Sequence, residues 1–146
     1  MTNALHIPAQ AGVPIACDMS TAEDTPDERL AEYGRLFERA LVRRERGQDA
    51  VVFVFRAEPE VSETVESLAR REAACCPFLE FRVEAVGGEV VYEMSRPAAS
   101  GEQPAEVDAI LDALYALPDH AGSDMAGLLV RLADNGVEII QATPER

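Results

Sequence analysis

The residues best suited to do chemistry lie in one short run, Glu72–Phe78, which reads EAACCPF. Two adjacent thiols follow a carboxylate by about one helical turn. The chain has one other cysteine, Cys17. Thiols bind soft metal ions and, as thiolates, act as nucleophiles, so the run predicts either a metal or metalloid site or a thiol enzyme. Because inert buried cysteines are also common, a third interpretation with purely structural thiols stays open.

The spacing of the cysteines suits a shared soft ion. Pro77 disfavours a helical conformation for Cys76, so the helix is expected to end near Cys75 and the two thiols to leave it in different directions. Both sulfurs could then reach one small cation, joined by Cys17 from a neighbouring strand. Three thiolates suit a trigonal ion such as copper(I), mercury(II) or arsenite.

Zinc would normally need a fourth ligand. Glu72, His6 or His120 could supply it, although neither histidine has a recognised spacing to the cysteines. Glu72 itself has two interpretations. It is either a structural carboxylate paired inside the protein, or an acid that exchanges protons with a thiol or a leaving group.

An enzyme would use the same residues, with Glu72 and Cys75 as the catalytic pair. A helix C-terminus and a nearby carboxylate both disfavour an uncompensated thiolate, which favours a bound cation over a bare nucleophile. A vicinal disulfide between Cys75 and Cys76 is a further alternative, and its strained ring would be easily reduced. Three arginines could offset the negative field if they fold back towards the motif: Arg70, Arg71 and Arg82.

The elements that must position the motif begin with a short strand, Val13–Cys17, in which alternate residues share a face. A helix follows, because Thr25 and Glu28 form a capping box around a proline at the first helical position. We expect Gly47 to end this helix. The apolar run Val51–Phe55 then predicts a central strand.

The motif belongs to the next helix, on which Glu72 is the one charged residue of the core-facing stripe. After the motif, residues 79–85 alternate between apolar and charged side chains and predict a half-buried strand. Gly87 and Gly88 supply a two-residue turn, and residues 90–94 continue the alternation, so a hairpin is expected.

A third helix is predicted up to Pro118, a fourth from a cap at Ser123, and a last strand over Val137–Ile140. The order β-α-β-α-β-β-α-α-β predicts an α+β fold with a mixed or antiparallel sheet covered by helices. We expect a single domain over residues 1–146, with a core from about 13 to 117 and a helix-strand extension over 118–146.

Composition restricts the classes of function. The chain has 146 residues, a formal net charge of −14, 47% hydrophobic and 27% charged residues. This balance is typical of folded proteins and disfavours a nucleic-acid partner. No apolar run is long enough for a membrane span, and no signal peptide is evident, so a cytoplasmic protein is expected. No motif predicts a nucleotide cofactor. The sequence gives no indication of the oligomeric state.

The motif also resembles one found in a group of other proteins. From about Val13 to Met94 the chain resembles a group of small, uncharacterised bacterial proteins with a Glu-x-x-Cys-Cys-Pro-Phe run and a cysteine after the first strand. That resemblance implies that the protein is a companion of metal-responsive regulators in heavy-metal resistance. The matching residues are Cys17, Glu72, Cys75, Cys76, Pro77, Phe78 and Phe81.

By chemistry alone the residues are also similar to organomercurial lyase, which holds mercury with two cysteines and protonates the leaving carbon with an acid. The leading expectation is therefore binding of a soft metal or metalloid ion of the mercury, copper(I) or arsenite class. The alternative is a thiol-dependent enzyme, such as an organometal lyase or a reductase. The third is an interaction domain with structural cysteines.

Overall fold

The structure is a computed structural model that describes residues 4–10, 16–18, 22–96, 105–120 and 138–140. For 16–18, 26, 105, 106, 120 and 138–140 it describes the backbone alone. The elements, in chain order, are β1 Ala4–Ile7, β2 Ala16–Asp18, α1 Pro26–Ala40, β3 Leu41–Arg46, β4 Ala50–Arg56, α2 Val61–Cys75, β5 Glu80–Val86, β6 Glu89–Ser95, α3 Ala105–Tyr115, α4 Leu117–His120 and β7 Glu138–Ile140.

Five strands form one antiparallel sheet in the order β1-β5-β6-β4-β3. Alternation along β5 and β6 gives the sheet an apolar face, and the cross-strand neighbours Phe53 and Tyr92 are fully buried. Residues from α1, α2 and α3 join the same hydrophobic core. The α+β fold and the predicted order of elements are therefore confirmed.

Two strands supplement the predicted order. The helix that was expected to continue to Gly47 ends at Ala40, and Leu41–Arg46 forms β3 instead. Pairing with β4 explains the change, because Leu41 lies opposite Phe55 and the strand supplies hydrogen-bond partners to one edge of β4. Gly47 lies in the turn between the two strands, where its N–H donates to the carbonyl of Ala50 at 2.8 Å. The other additional strand, β1, extends the sheet beyond β5.

The two helices that form the site have well-defined starts. Thr25 caps α1 in the predicted capping box, accepting a hydrogen bond from the Glu28 N–H while the Glu28 carboxylate accepts one from the Thr25 N–H. Before α2, the Val61 N–H donates to the Glu58 carbonyl at 3.1 Å, and Glu60 adopts φ 71°. This is the left-handed position of a type II turn, which normally favours glycine.

The hairpin of β5 and β6 turns at Gly87 and Gly88, both with positive φ, as predicted. The strand predicted at the end of the chain is present as β7, which pairs in parallel with β2. The helix predicted from Ser123 lies outside the described residues, as do Val13–Ile15. None of the helices in the described ranges has the length and apolar character that crossing a bilayer requires.

Candidate functional site

The last turn of α2 brings three potential metal ligands together. Glu72 and Cys75 are one turn apart on the buried face of the helix, as the periodicity predicted. The helix ends at Cys75, and Cys76 turns away with φ −126° and ψ 64°, consistent with the proline that follows it. Glu72 is 8% exposed and each cysteine 4%. The site is therefore inside the protein rather than on its surface.

The separations of the donor atoms match those of a common ion. The Cys75 Sγ lies 3.9 Å from the Cys76 Sγ and 3.9 Å from the Glu72 Oε2, and all three donors lie within 4.8 Å of one another. Metal–sulfur bonds of about 2.3 Å place two sulfurs about 3.8 Å apart at a tetrahedral ion and about 4.0 Å apart at a trigonal one. A linear two-coordinate ion would require about 4.6 Å. The geometry therefore favours three or four ligands.

A buried arginine completes the site. Arg29, in the first turns of α1, is 3% exposed. Its Nη1 lies 3.0 Å from the Glu72 Oε1 and 3.4 Å from the Cys75 Sγ. Its Nε and Nη2 donate to the two carboxylate oxygens of Asp24, at 2.9 and 2.6 Å. The guanidinium is thus fixed between two carboxylates while it faces a thiol.

Arg29 was not predicted, yet the sequence holds a signal for it. The apolar stripe of α1 includes Tyr33 and Ala40, and Arg29 lies four residues before Tyr33 on the same side of the helix. Each of the two helices thus places one charged residue, Arg29 or Glu72, on its buried face. Opposite charges on two packed buried faces are expected to pair, because an unpaired buried charge is costly.

The positive charge at the thiols therefore comes from an unexpected residue. Each of the three arginines proposed from the sequence has carboxylate partners of its own. These contacts join Arg70 to Glu66, Arg71 to Asp24 and Glu32, and Arg82 to Glu80. The expectation that the local field disfavours a thiolate weighed the helix dipole and Glu72 against these three arginines, whereas the arginine that reaches the sulfur is Arg29. Its charge offsets both the dipole and the carboxylate.

The pKa values of the paired groups reflect this arrangement. Burial raises the pKa of Glu72 above that of an ordinary glutamate, although the charge and hydrogen bond of Arg29 oppose the shift. Burial alone would lower the pKa of Arg29, but the hydrogen bond to Asp24 and the charge of Glu72 outweigh it and raise that pKa. The hydrogen bond from Arg29 holds the pKa of Asp24 below its ordinary value. Glu72 therefore retains a proton to higher pH than Asp24 does.

Two buried tyrosines lie beside the charged network that Arg29, Glu72 and Asp24 form. The hydroxyls of Tyr33 and Tyr92 lie 3.2 Å apart, one on α1 and the other on β6. Burial raises the pKa of both phenols well above the ordinary value, and the negative charge of Glu72 adds to the shift. Both phenols are therefore neutral hydrogen-bonding groups beside the site.

A groove of about 680 Å³ runs between α1 and α2 on the outer side of this network. Asp24, Glu32 and Arg71 line it. Because Asp24 also binds Arg29, this carboxylate lies between the groove and the site. The two cysteines do not line the groove.

The structure also locates the other candidate ligands. His6 is hydrogen-bonded to Glu80 at 3.0 Å, and its side chain is 48% exposed, so it is not part of the site. His120 lies in α4, but its side chain is outside the described part of the chain. Cys17 lies in β2, whose backbone lies close to α2. The Cys17 side chain is also outside the description, so its role as a ligand stays a prediction.

Comparison of the chain with protein-family models, with curated proteins and with solved structures gave no match. Function is therefore inferred from the chemistry of Glu72, Cys75, Cys76 and Arg29.

Proposed function

We propose that the protein binds a thiophilic metal or metalloid ion through Cys75, Cys76 and one oxygen of Glu72. The observation that carries the proposal is the convergence of these three buried donors within 4.8 Å. The two Glu72 oxygens have different contacts. Oε1 accepts a hydrogen bond from Arg29, while Oε2 faces Cys75. Arg29 thereby orients the carboxylate, as hydrogen-bonded residues behind metal ligands commonly do.

Charge balance favours a divalent ion. Without a metal, the two arginines Arg29 and Arg71 offset the charges of the two carboxylates Glu72 and Asp24. Deprotonating both thiols adds two negative charges, which a divalent ion would offset. A monovalent ion would leave one buried charge without compensation, which is costly. Among thiophilic ions we therefore place mercury(II) and zinc ahead of copper(I), and Cys17 or water would supply any fourth ligand. A role in heavy-metal resistance inside the cytoplasm is part of the same proposal.

The test is an affinity titration of reduced, metal-free protein with mercury(II), zinc, copper(I) and arsenite, using competition with a chromophoric chelator. Wild type is expected to bind one ion. Cys75→Ser and Cys76→Ser should each lose at least about 100-fold in affinity, because losing a direct ligand costs more than losing an outer-shell contact, which costs about 10- to 100-fold. Cys17→Ser measures whether the third cysteine contributes.

A matched pair of variants tests the carboxylate. Glu72→Gln is expected to lower affinity by about 10- to 100-fold or more, because the ligand loses its charge and the ion pair that orients it. Glu66→Gln, a partly exposed carboxylate on the same helix, should bind like wild type. Equal affinity of wild type and both cysteine variants for every ion would refute the proposed function.

A further inference from the structure

Metal binding does not explain why a guanidinium lies against one of the ligand sulfurs. The Arg29 Nη1 is 3.4 Å from the Cys75 Sγ and also donates to Glu72, while the Nε and Nη2 donate to Asp24. A fixed positive charge at this position repels a bound cation. The same charge stabilises negative charge on sulfur, which is what a nucleophilic thiol requires.

We infer that Cys75 and Cys76 also reduce small, uncharged hydroperoxides, with Cys75 as the attacking thiol and Cys76 as the resolving thiol. This activity goes beyond the proposed function and belongs to the metal-free form, because it uses the same sulfurs. Three contacts carry it: the guanidinium beside Cys75, the carboxyl of Glu72 at 3.9 Å from the same sulfur, and the second thiol at 3.9 Å.

The first step is a two-electron oxidation of Cys75. Its thiolate sulfur attacks one oxygen of the hydroperoxide, the O–O bond breaks, and Cys75 becomes a sulfenic acid. The departing alkoxide, or hydroxide from hydrogen peroxide, takes up the proton that the thiol released, and the Glu72 carboxyl is placed to pass it on. The products are the sulfenic acid and an alcohol or water. Arg29, at 3.4 Å from this sulfur, stabilises the negative charge of the attacking thiolate.

The second step joins the two cysteines. The Cys76 sulfur attacks the Cys75 sulfur, the S–O bond breaks, and water leaves, so two thiols and one hydroperoxide give one disulfide, one alcohol and one water. The adjacent Cα atoms are about 3.8 Å apart, below the usual disulfide range, so the ring is strained and readily reduced. An external dithiol would then restore both thiols by exchange.

Burial restricts the substrate. Each cysteine is 4% exposed, and Phe78 and Leu79, which follow them in the chain, belong to the hydrophobic core. Desolvating a charged or bulky hydroperoxide at such a site is unfavourable. Hydrogen peroxide and short alkyl hydroperoxides fit this description best.

The test is a single-turnover reaction of reduced protein with hydrogen peroxide and ethyl hydroperoxide, with a chelator present to exclude metals. Mass spectrometry follows the oxidation state of each cysteine. Wild type is expected to form a Cys75–Cys76 disulfide. Cys17→Ser/Cys76→Ser, which leaves Cys75 as the only thiol, should accumulate a sulfenic acid that dimedone traps. Cys75→Ser should remain reduced.

The role of Arg29 has its own matched variants. Arg29→Met is expected to slow oxidation of Cys75 by about 100-fold, as for removal of one charge-stabilising donor. Arg29→Lys should recover part of the rate, and it keeps a cation if the Met variant does not fold. Arg70→Met, an exposed arginine on α2, should react like wild type.

Two results would overturn the inference. One is a wild-type protein that reacts no faster than Cys75→Ser. The other is an Arg29→Met variant that folds and reacts at the wild-type rate. Because metals are excluded, neither result bears on ion binding, which is measured separately.

Discussion

The pairing of Arg29 with Glu72 can be tested by breaking it. Arg29→Met keeps a long apolar side chain in the core but removes the guanidinium. Glu72, which is 8% exposed, then loses its 3.0 Å ion pair. Asp24 loses two hydrogen bonds but keeps Arg71 at 3.0 Å, and its side chain is less deeply buried. Most of the cost therefore falls on Glu72.

Removing one partner of a buried pair costs about 3–5 kcal/mol, because the remaining charge has no compensation. That is a large part of a total stability of about 5–15 kcal/mol. Glu72→Gln removes the charge instead, leaves Arg29 with Asp24, and should cost about 1 kcal/mol, the usual scale of a hydrogen bond. The double variant Arg29→Met/Glu72→Gln should therefore be more stable than Arg29→Met alone, with a coupling energy of about 2 kcal/mol or more.

Urea denaturation followed by circular dichroism measures these free energies of unfolding. Arg70→Met is the matched control: its guanidinium is exposed and paired only with Glu66, so a change within about 0.5 kcal/mol is expected. A loss below about 1 kcal/mol in Arg29→Met would contradict the reasoning. So would additivity of the two single variants, because a true buried pair must show coupling.

Further predictions concern the supporting elements. Glu60→Gly should raise the free energy of unfolding by about 0.5 kcal/mol, because it relieves a positive φ, and denaturation that shows a loss would contradict the turn geometry. Tyr33→Phe should lower it by about 1–3 kcal/mol by leaving the buried Tyr92 hydroxyl without its partner, and Tyr33→Phe/Tyr92→Phe should cost less than the sum of the single variants. The pKa of Asp24 is lowered on folding, so its stabilising contribution is present above its ordinary pKa and is lost as pH falls through the lower folded value. Denaturation between pH 6 and about 3 should therefore show a shallower acid slope in Asp24→Asn than in wild type.

Local signals in the sequence predicted much of the site. The periodicity of α2 identified Glu72 as a buried charge, and Pro77 marked the end of the helix at Cys75. Both depend only on neighbours along the chain. Gly87 and Gly88 likewise specified the hairpin, because few other residues adopt positive φ in a two-residue turn.

Contacts between distant segments were harder to predict. Arg29 meets Glu72 across 43 positions, and only the packing of α1 on α2 brings them together. The strand Leu41–Arg46 has charged residues that suit a helix surface, yet pairing with β4 determines its conformation. In both cases tertiary contacts outweigh local preference.

The central claim is that Cys75, Cys76 and Glu72 hold one soft ion, and X-ray absorption on the zinc-loaded protein tests it most directly. We expect at least two sulfur ligands at about 2.3 Å and one or more oxygen ligands at about 2.0–2.2 Å. Cys75→Ser should lose one sulfur from this shell. A zinc environment of nitrogen and oxygen alone, or a spectrum unchanged by the substitution, would contradict the claim.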